Sequence, residues 1–193
     1  MIKFILHGGK IDISEKLDEE FFGEIFKNIV GKEKIIVLIT CFARNKDEWQ
    51  SVFTKNKLRF SKFISKAGIE SVEFVLADSD QNKFLTQVDN SDVVYFCGGS
   101  ELEIRKIISE QDLLIDIFRN KVIVGTSAGA NIFSAEYYSN DRNRIEPGFG
   151  FIPIKTICHF SLENKERLDM LLNYNGEKPT FAIEESHFVV FYL

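Results

Sequence analysis

The sequence predicts an α/β fold: a doubly wound, mostly parallel sheet with helices on both faces, three layers in all. Three observations carry this. Short apolar runs without polar alternation, such as Ile35–Thr40, suit strands buried on both faces of a parallel sheet. Segments with apolar residues at helical spacing separate those runs. Strands alternating with helices imply βαβ units and right-handed crossovers.

The elements follow in order. Lys3–Leu6 is an apolar run ending at His7-Gly8-Gly9, a strand and its turn. Leu17, Phe21, Phe22, Ile25, Phe26 and Ile29 share one face of a helix spanning Leu17–Val30. Ile35–Thr40 is the second strand. Asp47–Ala67 reads as a long amphipathic helix stopped by Gly68. Val72–Leu76, Val93–Cys97 and Val122–Val124 give three more strands, and Leu102–Phe118 is helical with a break near Ser109–Gln111. Ser139–Gly150 is polar, with Pro147 and two glycines, and reads as a loop. Lys155–Phe160 is a strand, Glu163–Tyr174 a helix, and Phe181–Glu184 with His187–Tyr192 a closing C-terminal hairpin. In such folds ligands bind outside the carboxyl ends of the strands, so the turns after His7, Thr40, Cys97 and Val124 should gather on one edge. No internal repeat or linker divides the chain, and residues 1–193 read as a single domain.

Composition narrows the function. A hydrophobic fraction of 45% is that of a folded globular protein. The net charge of −5, with no block of Lys or Arg, argues against a nucleic-acid partner. The Lys-rich stretch from Lys55 to Lys66, interleaved with Phe60 and Phe63, fits the solvated face of a helix. MIKFILHGGK lacks the pattern of a signal peptide, and no apolar stretch is long enough to cross a bilayer, so a cytoplasmic protein without a membrane partner is expected. The three cysteines, Cys41, Cys97 and Cys158, have neither disulfide-framework nor zinc-site spacing, and no metal is expected.

The chemistry centres on Val122–Asn131. A β-branched run meets Gly125-Thr126-Ser127-Ala128-Gly129, the G-x-S-x-G pattern of a nucleophile elbow. There a serine is exposed on a tight strand-to-helix turn. The following helix start offers free N–H groups to a developing oxyanion. An ordinary strand-to-helix loop rich in small residues is the alternative. A nucleophilic serine needs a base, usually histidine, with a carboxylate to hold the ring. Of three histidines, His187 lies inside the terminal hairpin, whereas His159 and His7 both end strands. Position favours His159, downstream of the serine and followed by polar loop residues. Ala128 is one oxyanion donor, and Gly98-Gly99 after the fourth strand is a turn able to supply the second.

These segments, taken together, resemble the peptidase E (aspartyl dipeptidase) and cyanophycinase family of serine peptidases. VVYFCGG before a helix, VIVGTSAGAN, a Ser-Asn-Asp loop, PGFGFIP and Cys158-His159-Phe160 carry the resemblance in order from about Ile35 to the C-terminus. It implies a fold like that of class I glutamine amidotransferases, with Ser127 as nucleophile and His159 as general base. It also implies Asp141 as the acidic member, with Glu136 and Glu146 as fallbacks, and an oxyanion turn at Gly98-Gly99. Gly98, Ser100 and Glu101 are the candidate substrate contacts. Family members usually continue the glycine pair with Asn-Thr, whereas this chain has Ser100-Glu101, and Glu101 would repel an acidic substrate if it pointed inward. Arg44, Arg142 and Arg144 are unassigned candidates for reading an acidic substrate.

The expected reaction is hydrolysis of a short peptide through an acyl-enzyme, with no cofactor, by a monomer or homodimer. The alternatives are a catalytically silent relative that binds a ligand in the same cleft, and an amidotransferase-like enzyme, which places cysteine rather than serine at the elbow.

Overall fold

A computed structural model describes the chain apart from residues 28, 30, 68, 109 and 110 and the side chains of 111–113. The expected end of the first helix at Val30, the stop at Gly68 and part of the break near Ser109–Gln111 fall outside the described residues.

The main sheet has six strands. β1 (Lys3–His7), β2 (Ile35–Thr40), β3 (Val72–Leu76), β4 (Val93–Phe96) and β5 (Val122–Thr126) are joined by β10 (Phe188–Tyr192) in the order β10-β1-β5-β4-β2-β3. All pairings are parallel except β10 with β1. β1, β4 and β5 are buried along their whole length, which is why their sequences are apolar without alternation.

Helices α1 (Glu15–Phe26) and α2 (Trp49–Ala67) pack on one face. Phe22 of α1 stacks on Phe63 of α2 at 4.5 Å, and Phe60 of α2 meets Tyr95 of β4 edge-on at 5.2 Å. The next residue of β4, Phe96, points the other way and meets Phe118 and Phe133 at 6.4 and 4.9 Å. Alternation along a strand therefore proves that both faces are covered. Helices α3 (Gln81–Asp89), α4 (Glu101–Ile107) and α5 (Gln111–Ile117) complete the connections. α3 is additional to the elements read from sequence. Its signals are an Asp80 cap, accepting from the Lys83 amide at 3.0 Å, and the buried pair Phe84 and Val88 one turn apart.

After the short helix α6 (Ala128–Asn131) the chain builds a second sheet. β6 (Ser134–Ser139), β7 (Arg144–Pro147), β8 (Ile152–Phe160) and β9 (Thr180–Glu184) take the order β7-β6-β8-β9, with α7 (Lys165–Leu172) between the last two strands. Two expectations are corrected here. Ser139–Gly150 is not simply a loop: it supplies β7, which pairs antiparallel with β6 around a tight turn. Nor do the last two strands form a hairpin. β9 runs parallel to β8 in the small sheet, whereas β10 closes the main sheet against β1. Each apolar run finds a different open edge, and Glu185–His187 bridges the two sheets. No described helix is long and apolar enough to cross a membrane.

Candidate active site

The carboxyl ends of β1, β2, β4 and β5 do gather, and Gly9, Arg44, Gly98 and Ser127 line one cavity of about 570 Å³ beyond them. Ser127 follows β5 directly. Its backbone is in a strained conformation, φ 53° and ψ −115°, and its amide donates to the His7 carbonyl at 2.9 Å. Such a conformation costs on the order of 1–3 kcal/mol and is held by its surroundings. The surroundings are the flanking glycines. A Cβ at Gly129 would lie 2.3 Å from the Phe96 carbonyl oxygen, so only glycine lets the elbow sit this close to β4. The Gly98 turn is equally near: a Cβ there would stand 3.1 Å from the Ser127 Cβ.

His159 comes from the other sheet. The β8–β9 register shifts between Cys158 and Phe160, and His159 has φ 54°. This bulge turns the ring out of the strand and toward β1, since bulges redirect side chains. The His159 amide donates to the Gly8 carbonyl at 3.0 Å. The ring itself lies where a side chain on Gly9 would be, 2.1 Å from an ideal Cβ to Cε1. Ser127 Oγ and His159 Nε2 are 2.7 Å apart.

The acid at the far side of the ring is Glu185, with Oε1 3.2 Å from His159 Nδ1. This corrects the expectation of Asp141. A carboxylate at Nδ1 places the neutral ring's proton there and leaves Nε2 to accept from the Ser127 hydroxyl. Hydrogen bonding to Lys10, and then to His159, holds the Glu185 carboxyl below the usual range. Glu185 escaped the sequence reading because it appeared to lie in a hairpin turn. Only the parallel β8–β9 pairing, with Phe160 opposite Glu184, brings that turn beside His159.

Asp141 instead follows Ser139-Asn140 at the β6–β7 turn. It lines a small cavity of about 70 Å³ with Glu101, Asn131, Ser127 and His159, and no hydrogen bond joins it to His159 among the described residues. The fallback acids are engaged elsewhere: Glu136 accepts from Asn175 and Lys178, both at 2.9 Å, and Glu146 pairs with Arg142 and Arg144. Asn140 ties the turn to the histidine strand by donating to the Cys158 carbonyl at 2.8 Å.

The remaining candidates sort as follows. His7 is fully buried against Phe21, its Nδ1 accepting from the Gly9 amide at 3.0 Å, and burial pushes its pKa down to about 4. It is a neutral core residue. His187 is exposed. Ser100 stands at the N-terminal boundary of α4 without a side-chain cap bond, and its amide donates to the Ala43 carbonyl at 2.8 Å. Glu101 points inward, 5% exposed, and accepts from Asn131 at 3.1 Å; burial raises its carboxyl pKa. Of the three arginines left open, Arg44 lines the main cavity and donates to the Gly98 carbonyl at 2.7 Å. Arg142 and Arg144 pair with Glu146. Lys55 and Arg59 of α2, expected on a solvated face, join Arg44 and Lys10 in the cavity wall.

The cysteines are free, buried thiols. The neighbouring Cys41 thiol, followed by burial, pushes Cys97 up, and burial pushes Cys158 up. Neither occupies the nucleophile position of the elbow, although the Cys158 thiol donates to the Ser127 carbonyl at 3.5 Å. Among the described residues, no group of three or more His, Cys, Asp or Glu side chains is arranged to hold a metal ion.

The family model for peptidase family S51 matches residues 4–192. Among solved structures, a peptidase from an acI-B1 Actinobacterium aligns with a TM-score of 0.67 and 22% identity, over 99% of this chain and 84% of that one. A protein of Listeria monocytogenes EGD-e described as of the peptidase E type aligns with a TM-score of 0.64 and 18% identity, over 100% and 99%. At these identities the structures establish the fold. No curated protein matches the chain.

Proposed function

The chain belongs to peptidase family S51 and is a peptidase, and from that premise we propose that it cleaves short peptides with Ser127 as nucleophile, His159 as base and Glu185 as the acid that holds the ring. The observation that carries this reading is the 2.7 Å contact between Ser127 Oγ and His159 Nε2, with a carboxylate on the opposite ring nitrogen.

In the proposed reaction the Ser127 hydroxyl attacks the scissile carbonyl while His159 takes its proton, then returns it to the leaving amine. Glu185 stabilises the imidazolium that forms. Water hydrolyses the acyl-enzyme by the same steps in reverse. The amides of Gly99 and Ala128 are the proposed oxyanion donors, each of a kind worth about 3 kcal/mol of barrier. Their assignment is supported by the closeness of the Gly98-Gly99 turn to Ser127 and by the helix that starts at Ala128.

The proposed substrate is a dipeptide-sized molecule with an acidic N-terminal residue. Arg44, Lys55 and Arg59 in the larger cavity support an anionic group on that side. Glu101 and Asp141 in the smaller one suit the free α-ammonium. Glu101 thus need not repel an acidic side chain, because the two charges of the substrate face different walls.

A fluorophosphonate probe should label Ser127, and Ser127→Ala should lose both labelling and turnover while keeping its thermal transition. A panel of dipeptides with acidic, neutral and basic first residues then reads the specificity. Turnover that survives in Ser127→Ala overturns the mechanism; an unlabelled wild-type protein points to a silent binder in the same cleft.

A further inference from the structure

One carboxylate oxygen, Glu185 Oε1, takes two donors: His159 Nδ1 at 3.2 Å and the Lys10 ammonium at 2.9 Å. Lys10 lies in the loop after β1, apart from β8, which carries His159, and from the turn after β9, which carries Glu185. The loop and the Glu185–His187 turn are clasped by three further bonds. The Gly8 amide donates to the His187 carbonyl and the Ser186 amide to the Gly9 carbonyl, both at 2.9 Å. The Ser186 hydroxyl donates to the Lys10 carbonyl at 3.0 Å. Lys10 and Ser186 both sit at positive φ, 48° and 62°, so the two facing turns are held in conformations that side-chain-bearing residues rarely adopt.

We infer that Lys10 is a positioning residue for the proposed Ser127–His159–Glu185 group: it aims Glu185 at the imidazole and shares its negative charge. The inference rests on that reading of the site. The physical argument concerns competition. A carboxylate that faces only the imidazole favours the protonated ring and so lowers the supply of free base in mild acid. A second cation on the same oxygen offsets part of that pull and keeps the carboxylate ionised. The proton acceptor then stays available at lower pH.

Other charges also face the ring and are left in place by a change at Lys10. Glu101 and Asp141 border the small cavity, and Arg44, Lys55 and Arg59 border the large one. His7, beneath, is buried and neutral. Comparing variants at position 10 therefore isolates this one ammonium.

The test follows the His159 ring proton by NMR across pH in wild type, Lys10→Met and Lys10→Arg, with His159→Asn for assignment. Lys10→Met should move the midpoint upward by about 0.5 pH unit, the size of a partly exposed charge contact. Lys10→Arg should keep it in place. On the acidic limb, kcat for the best dipeptide should fall about three-fold in Lys10→Met at constant KM, that same shift expressed as a rate. An unmoved midpoint overturns the inference, as does a rise in KM alone, which would make Lys10 a substrate contact. If Ser127→Ala still hydrolyses peptides, the reading of the site fails, but the ring titration continues to judge Lys10.

Discussion

At the scale of residues, the site depends on two side chains held by strained backbone. Ser127 and His159 both have positive φ, 53° and 54°, and each is presented out of its element because of it. The acid separates what geometry supports from what chain order suggested. Glu185→Gln keeps size and shape but removes the charge opposite the imidazole, so kcat should fall on the order of 100-fold or more. Asp141→Asn should act mainly on KM, because Asp141 lines the small cavity without a hydrogen bond to the imidazole among the described residues. Steady-state kinetics of the two variants side by side decides between them; a larger loss of kcat in Asp141→Asn would restore the original assignment. Ser127 was legible because an elbow needs small neighbours in sequence. Glu185 was not, because nothing local to it marks an acid as different from any other turn residue.

At the scale of elements, the elbow works as a close contact between β5, α6 and the end of β4. Gly129→Ala tests that contact. Its methyl group would press on the Phe96 carbonyl at 2.3 Å, and backbone at both ends leaves little room to relax. A loss of about 2–3 kcal/mol is expected, read as a lowered denaturation midpoint, with labelling of Ser127 reduced in the protein that remains folded. Helix α2 shows how a correct periodicity can carry an incomplete assignment. Its Phe60 and Phe63 do enter the core, as their spacing required. Yet Val52, Lys55, Asn56 and Arg59, also one turn apart, form a second stripe along the cavity. Period alone distinguishes apolar from polar faces and does not say which polar face meets solvent and which meets a ligand.

At the scale of the whole molecule, the burial of His7 links stability to pH. Its folded pKa, about 4, lies below the ordinary value of 6.5. The unfolded chain therefore takes up a proton first as pH falls. The stabilisation is complete above about 6.5 and is lost on descending toward 4, on the order of 3 kcal/mol in all. Denaturant titrations between pH 7 and 4 should show wild type losing stability more steeply than His7→Gln; parallel slopes would contradict it. His7 lies beneath the cleft, so this acid sensitivity belongs to the floor that carries the elbow. The sequence alone determined the parallel α/β core and the glycine-flanked turn at Ser127, and it singled out the Ser127 and His159 that the fold brings to 2.7 Å, because each is written in local periodicity, small residues or strand ends. The tertiary structure alone decided that the last two strands part into separate sheets, that Glu185 and not Asp141 meets the imidazole, and that Lys10 reaches the same oxygen. Those outcomes depend on which open sheet edge each apolar strand covers, a competition between distant segments that no short stretch of sequence records.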